Sequence, residues 1–133
     1  MKIGILGGGQ LGRMLIQEAL KYDDEWFTLD PAKDAPCHSI SHFTQGNFDD
    51  FDTVFNFGKG KDVVSIEIEH VNVDALYELR ECGIKVIPSP EIIQIIQQKI
   101  LQKEFYLKHD IPSPEFQIIQ NKSEANFRLP FVQ

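Results

Sequence analysis

The chain has 133 residues, 42% of them hydrophobic and 25% charged, which is the balance of a soluble globular domain with one core and is too short for two full domains. With 20 acidic against 13 basic residues the formal net charge is -7 and the pI is near 5.0, which excludes a nonspecific nucleic-acid binder because no basic stripe can neutralise a phosphate backbone. No apolar stretch reaches the length of a membrane span, and Met1 leads directly into a charged residue and a core strand, leaving no room for a signal peptide, so a cytoplasmic location is expected.

The first element is the apolar, strand-like run at residues 2–6, followed by Gly7, Gly8, Gly9, Gln10, Leu11 and Gly12. Gly7, Gly9 and Gly12 satisfy G-x-G-x-x-G, a pattern that belongs between a strand and a helix. Gly7 permits a sharp turn, Gly9 a close approach of ligand to backbone, and Gly12 tight packing of helix on strand. The amides and dipole of the new helix favour negative charge, so the loop is a candidate phosphate or anion site; the alternative is a tight turn that binds nothing. Leu11, Met14, Leu15, Ala19 and Tyr22 then recur at helical spacing, and Asp23, Asp24 and Glu25 close the element. Residues 26–29 predict a second strand ending at Asp30, where Pro31 stops the pairing.

Residues 39–43 predict a weak third strand, and 49–57 a short helix that turns Phe51, Val54 and Phe55 inward. Residues 62–68 make a better strand, with Val64, Ile66 and Ile68 on one face and Val63, Ser65 and Glu67 on the other. A helix follows over 73–82, closed by Gly83, and then a short strand over 85–87. Ser89 as N-cap and Pro90 at the first helical position open a helix whose apolar stripe runs from Ile92, Ile93 and Ile96 through Ile100, Leu101 and Phe105. The alternation of strands and helices predicts a doubly wound parallel sheet covered on both faces. A rigid hinge at Ile111-Pro112-Ser113-Pro114 interrupts it. Residues 115–119 then predict a strand that starts a new unit, and 123–127 a short helix. The apolar run at 129–133 has no turn after it, so the chain reads as a piece of a longer protein that stops inside an element.

Asp30 lies 18 residues after Gly12, where a dinucleotide-binding enzyme places the carboxylate that bonds a ribose; an aspartate before proline is equally a turn former. Glu67 and Glu69, with His70 next to them, stand at the carboxyl end of a strand, near the crevice where open α/β sheets bind ligands. They could hold a hydrogen-bond-donating substrate group and perturb one another's ionisation, or be a solvated strand end. Lys99 and Lys103 share a helix face, fit either for a nucleotide phosphate or for solvent. Cys37 and Cys82 lack metal-ligand spacing and read as reduced structural thiols, and His38, His42 and His109 have no partner spacing for a metal or a triad.

In order along the chain, GGGQLGRML, LDP at 29–31, EIEHVN at 67–72, PSPEIIQIIQQKILQKEF at 88–105 and IPSPEF at 111–116 resemble the 5-(carboxyamino)imidazole ribonucleotide synthase family, the ATPase subunits of phosphoribosylaminoimidazole carboxylase within the ATP-grasp superfamily. The resemblance implies a Rossmann-like pre-ATP-grasp domain over residues 1–112, with a parallel sheet and helices on both faces, and the start of an ATP-grasp domain over 113–133. It implies de novo purine biosynthesis: ATP and bicarbonate form carboxyphosphate, from which the exocyclic amine of aminoimidazole ribonucleotide takes a carboxylate, with magnesium accompanying ATP. Carried over by position, Gly8, Gly9, Gln10 and Leu11 line the aminoimidazole ribonucleotide pocket, Glu69 stands at its edge, and Lys99 occupies a position that contacts ATP. Gln98 departs from the acidic residue usual before that position. The glycine-rich lid, metal carboxylates and substrate-phosphate site of the family are not in these 133 residues, so the chain is expected to bind without turning over. The family pairs as homodimers, and neither nucleic acid nor membrane is an expected partner. An NAD(P)-binding oxidoreductase domain is the alternative that the glycine pattern and Asp30 leave open. A non-catalytic dimerisation module and the related formate-using glycinamide ribonucleotide transformylase are weaker readings.

Overall fold

Strand and helix periods alternate along the chain, and the computed structural model, which describes residues 1–119 and 121, assembles them as one parallel sheet. The strands are β1 (Lys2–Leu6), β2 (Glu25–Asp30), β3 (His42–Gln45), β4 (Val63–Ile66) and β5 (Lys85–Ile87). The helices are α1 (Gln10–Ala19), α2 (Phe51–Gly58), α3 (Val73–Glu81), α4 (Pro90–Gln97) and α5 (Lys99–Lys108). The strand order is β3-β2-β1-β4-β5, every pair parallel. The order switches direction at β1, so the connections that leave β1 and β4 run on from neighbouring strand ends at the switch point, where open α/β sheets form a ligand crevice between their loops.

Alternation along β1 sends Ile5 to one face and Leu6 to the other, and each face has its own core. Ile5 packs with Ile16 of α1 and Cys37 on one side, with Trp26 and Ile40 against them. Leu6, Leu29 and Val64 pack on the other against Val54 and Phe57 of α2, Leu76 and Leu79 of α3 and Ile93 of α4. Helices therefore cover both faces, as the pattern predicted. Asn72 caps α3 by accepting from Ala75 N at 2.9 Å, and its own amide donates to Asp49 O at 3.0 Å. Asn72→Ala is expected to cost about 1–2 kcal/mol, read as a lower urea midpoint at unchanged slope.

Several element boundaries differ from expectation. The third strand begins at His42, because Cys37 O accepts from Ile40 N and Ser41 Oγ and winds residues 37–41 into a turn. In α2 it is Val54, Phe57 and Gly58 that are buried, while Phe51 is exposed and stacks on Phe55; Gly58 against Leu79 and Phe57 against Gly4 centre the inward face later than predicted. The buried side of α1 is Gly12, Ile16 and Ala19, and Leu11, Met14, Leu15 and Tyr22 are exposed. β4 ends at Ile66, so Ile68 and the two glutamates lie in a bent loop rather than a strand: β1 turns away at Gly7, and β4 has no edge left to follow.

The long helix predicted from Pro90 onward is two helices. Gln98 is extended at φ -110°, ψ 105° and separates them. Ser89 and Pro90 do occupy the N-cap and first-turn positions of α4, although Ser89 contributes its carbonyl to Ile92 N and Ile93 N rather than a side-chain cap. Residues 115–119 form no strand among the described residues; Phe116 instead packs beneath Lys103 Nζ, 5.4 Å from the ring centre. The helix predicted at 123–127 and the apolar run at 129–133 lie outside the described residues.

Candidate functional site

Three loops meet at the carboxyl ends of the central strands. After β1, Gly7 turns with φ +118°, a conformation that L side chains rarely adopt, and a Cβ there would strike the Glu67 carboxylate. Gly7 N donates to Leu29 O at 3.1 Å, and Gly8 N donates to Asp30 Oδ2 at 2.8 Å. Cys37 closes the loop from below, its N–H on Gly8 O at 2.9 Å and its thiol 3.8 Å from Gly9 O. Burial first, and then the Asp30 carboxylate, push the Cys37 thiol up, which suits a free, buried thiol that packs behind the loop. Cys82, by contrast, is exposed at the C-cap of α3.

α1 starts at Gln10 with Gly9 as its N-cap and no side-chain cap, so the first-turn amides face outward at the crevice. The three glycines of the pattern prove to have three different surroundings. A Cβ on Gly12 would strike Gly7 O, which makes that glycine a packing requirement; a Cβ on Gly9 meets nothing within 4 Å, which leaves open space in front of it. Gly8 is backed by Asp30 and Ala35.

On the other side of the crevice the loop after β4 is tied to β1. Leu6 O accepts from both Glu67 N at 2.9 Å and Ile68 N at 3.3 Å. Glu67 is half-buried against Gly7, and Glu69 and His70 are exposed beyond it. His70 Nε2 lies 3.0 Å from Asp49 Oδ1. Burial, followed by the charges of Asp30 and Glu69, raises the Glu67 carboxyl above the ordinary glutamate range. A carboxyl whose folded pKa is raised binds more protons folded than unfolded, so its contribution falls as pH rises from the unfolded toward the folded value. Glu67→Gln should therefore raise the thermal midpoint at neutral pH, and the gain should vanish at pH values below the carboxylate range; melts across that range check it.

The sequence-predicted residues thus separate into groups. Gly8, Gly9, Gln10 and Leu11 lie on one wall of the crevice and the Glu67–Glu69 loop on the other. Asp30 stands behind the glycine loop, with both oxygens engaged: Oδ2 by Gly8 N and Oδ1 by Ala32 N at 2.9 Å. Lys99 opens α5 and is exposed, its Nζ 3.4 Å from Gln102 Oε1. Lys103 does not join it, since its Nζ donates to Ser113 Oγ at 2.8 Å and sits over Tyr106 and Phe116. One residue at the crevice carried no sequence signal: Gln97, whose side-chain amide donates to both Glu69 O and Val71 O at 2.7 Å. A glutamine at the end of an amphipathic helix is indistinguishable in sequence from a solvated one. A cavity of about 660 Å³ beside Leu107, Ile111 and Phe116 shares no residue with the crevice. Among the described residues no group of three or more His, Cys, Asp or Glu could hold a metal ion, and no helix is long and apolar enough to cross a membrane.

The wall of backbone donors, the facing carboxylates and the open space at Gly9 suit a ligand that offers both an anionic or polar part and a hydrogen-bond donor. Comparison with known proteins narrows this. Residues 1–97 match the model of a family described as the ribonucleotide synthetase preATP-grasp domain. The chloroplastic phosphoribosylaminoimidazole carboxylase of Vigna aconitifolia is 42% identical over 120 residues, covering 90% of this chain and 22% of that one. The N5-carboxyaminoimidazole ribonucleotide synthetase of Thermotoga maritima superimposes with a TM-score of 0.80 at 39% identity, over 90% of this chain and 34% of that one. The Aspergillus clavatus synthase, solved in complex with ADP and 5-aminoimidazole ribonucleotide, superimposes with a TM-score of 0.77 at 41% identity, over 86% of this chain and 31% of that one. The chain therefore spans about a fifth to a third of the length of these relatives.

Proposed function

The chain belongs to the ribonucleotide synthetase pre-ATP-grasp domain family, and from that membership we propose that its crevice forms part of the aminoimidazole ribonucleotide pocket of an ATP-dependent carboxylase of purine synthesis. The observation that carries the reading is the pairing, across one crevice, of uncapped amides at Gly9, Gln10 and Leu11 with a loop bearing Glu67 and Glu69. Amides and the Gln10 carboxamide bind and orient the ribonucleotide, and the Glu69 carboxylate accepts from its exocyclic amine, which holds the nitrogen that is to be carboxylated. Lys99, at the start of α5, is the contribution to ATP, by charge toward its phosphates. In the whole enzyme ATP and bicarbonate supply an activated carboxyl group; the residues described here bind and position, and supply no set of ligands for the magnesium that accompanies ATP.

The proposal extends to a domain boundary after Pro112, to turnover only together with the remaining length of the relatives, and to homodimerisation. It includes a cytoplasmic location, although the plant relative is described as chloroplastic. The nicotinamide reading is not favoured, because the Asp30 carboxylate that it assigns to a ribose is used to hold Gly8 and Ala32. Isothermal titration of the 133-residue chain with aminoimidazole ribonucleotide and, separately, with NADH tests the choice. Saturable heat with the ribonucleotide and none with NADH is expected; saturation by NADH alone overturns the proposal.

A further inference from the structure

The loop from Glu67 to His70 lies beyond the end of β4, bends at each of residues 67–69, and is tied to β1 through Leu6 O. Glu69 O also accepts from Val71 N at 3.0 Å, a bond that stays within the segment. Gln97 adds the bonds that reach it from a helix. Both protons of its side-chain amide are used, one on Glu69 O and one on Val71 O, each at 2.7 Å, and only the nitrogen end of the amide can satisfy two carbonyls at once. The donor stands at the last position of α4, with Gln98 extended next to it and Lys99 opening α5. One side chain therefore ties the glutamate-bearing wall of the crevice to the helix break from which Lys99 projects.

We infer that Gln97 is a positioning residue: its amide clamps the loop after β4, presents Glu69 at the crevice edge, and joins that edge to the segment that carries Lys99. The ligand part of this inference rests on the crevice binding aminoimidazole ribonucleotide; the clamp itself does not. Losing two hydrogen bonds that order a loop, while leaving the core untouched, separates local order from global stability.

Three variants test it on the 133-residue chain: Gln97→Leu, Gln97→Glu, which keeps the length and polarity but offers no proton to a carbonyl when ionised, and Gln94→Leu on the same helix as a control. Amide exchange by NMR and titration with aminoimidazole ribonucleotide are read for each. Both Gln97 variants should speed exchange of the Ile68 and Val71 amides by about tenfold, the factor that corresponds to ~1.4 kcal/mol, and weaken ribonucleotide binding by a similar factor. Exchange in α3 and the thermal midpoint should stay near those of the parent chain, and Gln94→Leu should behave like the parent throughout. Unchanged loop exchange in Gln97→Leu, or a Gln97→Glu variant that behaves like the parent, overturns the clamp. Faster exchange with undiminished affinity overturns the positioning role. A parent chain that binds no ribonucleotide refutes the reading of the crevice instead, and the exchange arm still decides the clamp.

Discussion

Gly12→Ala should lower stability by about 2–4 kcal/mol and abolish ribonucleotide binding, whereas Gly9→Ala should cost at most ~1 kcal/mol and still weaken binding at least tenfold. The two glycines belong to one motif and differ in what lies in front of them. A Cβ on Gly12 runs into the carbonyl oxygen of Gly7, a backbone atom fixed on both sides by the Gly7–Leu29 and Gly8–Asp30 hydrogen bonds, so neither partner can yield without unpicking the loop. A methyl on Gly9 touches nothing in the protein, and its backbone at φ -70° suits any residue, so the remaining cost is the poorer capping of α1 by alanine. The added methyl instead occupies the space through which a ligand must approach the amides. Urea unfolding and ribonucleotide titration of both variants read the two effects apart. Equal stability losses, or a Gly9→Ala variant with parent affinity, would show that the open space is not a binding surface.

Asp30→Ala is expected to cost about 2–3 kcal/mol and to take ribonucleotide affinity down with it. Its carboxylate accepts two charge-assisted hydrogen bonds, from Gly8 N at 2.8 Å and from Ala32 N at 2.9 Å, and the first of these is part-buried. Removing the acceptor leaves Gly8 N without its bond at the back of the glycine loop, and the loop's outer face is only as well placed as its inner one. Asp30→Asn should fall between, since an amide offers one acceptor where two amides need them. Thermal melts give the stability order parent, Asn, Ala. A ribose-binding aspartate would behave differently, with near-parent stability in Asp30→Asn and a loss confined to dinucleotide binding.

Much of this was legible because the relevant physics is local. The glycine loop, the strands at 2–6 and 85–87, the Gly83 stop and the Ser89-Pro90 start each depend on backbone preferences that a few neighbouring residues determine. What was not legible depends on partners far along the chain. Nothing near Ile66 says that β4 stops there; the reason is the turn of β1 at Gly7, some 60 residues earlier by sequence number. The break at Gln98 is equally silent, since the apolar stripe from Ile92 to Phe105 runs straight through it while Gln97 is bonded to a loop 26 and 28 residues upstream. Asp30 shows the same limit in chemistry: an aspartate before proline fits both a ribose ligand and a loop anchor, and only the geometry assigns it to Gly8. The family motifs add what local physics does not: the expectation, carried by the resemblance, that Gln10 and Glu69 share one pocket.

We propose that a ribonucleotide sits between the glycine loop and the loop after β4. The most direct test is an amide chemical-shift titration of the 133-residue chain with aminoimidazole ribonucleotide. Shifts concentrated at Gly8, Gly9, Gln10 and Leu11 and at Ile68, Glu69 and His70, saturating together with one affinity, are the predicted result. Saturating shifts confined to other parts of the chain, or none at these two loops, would contradict it.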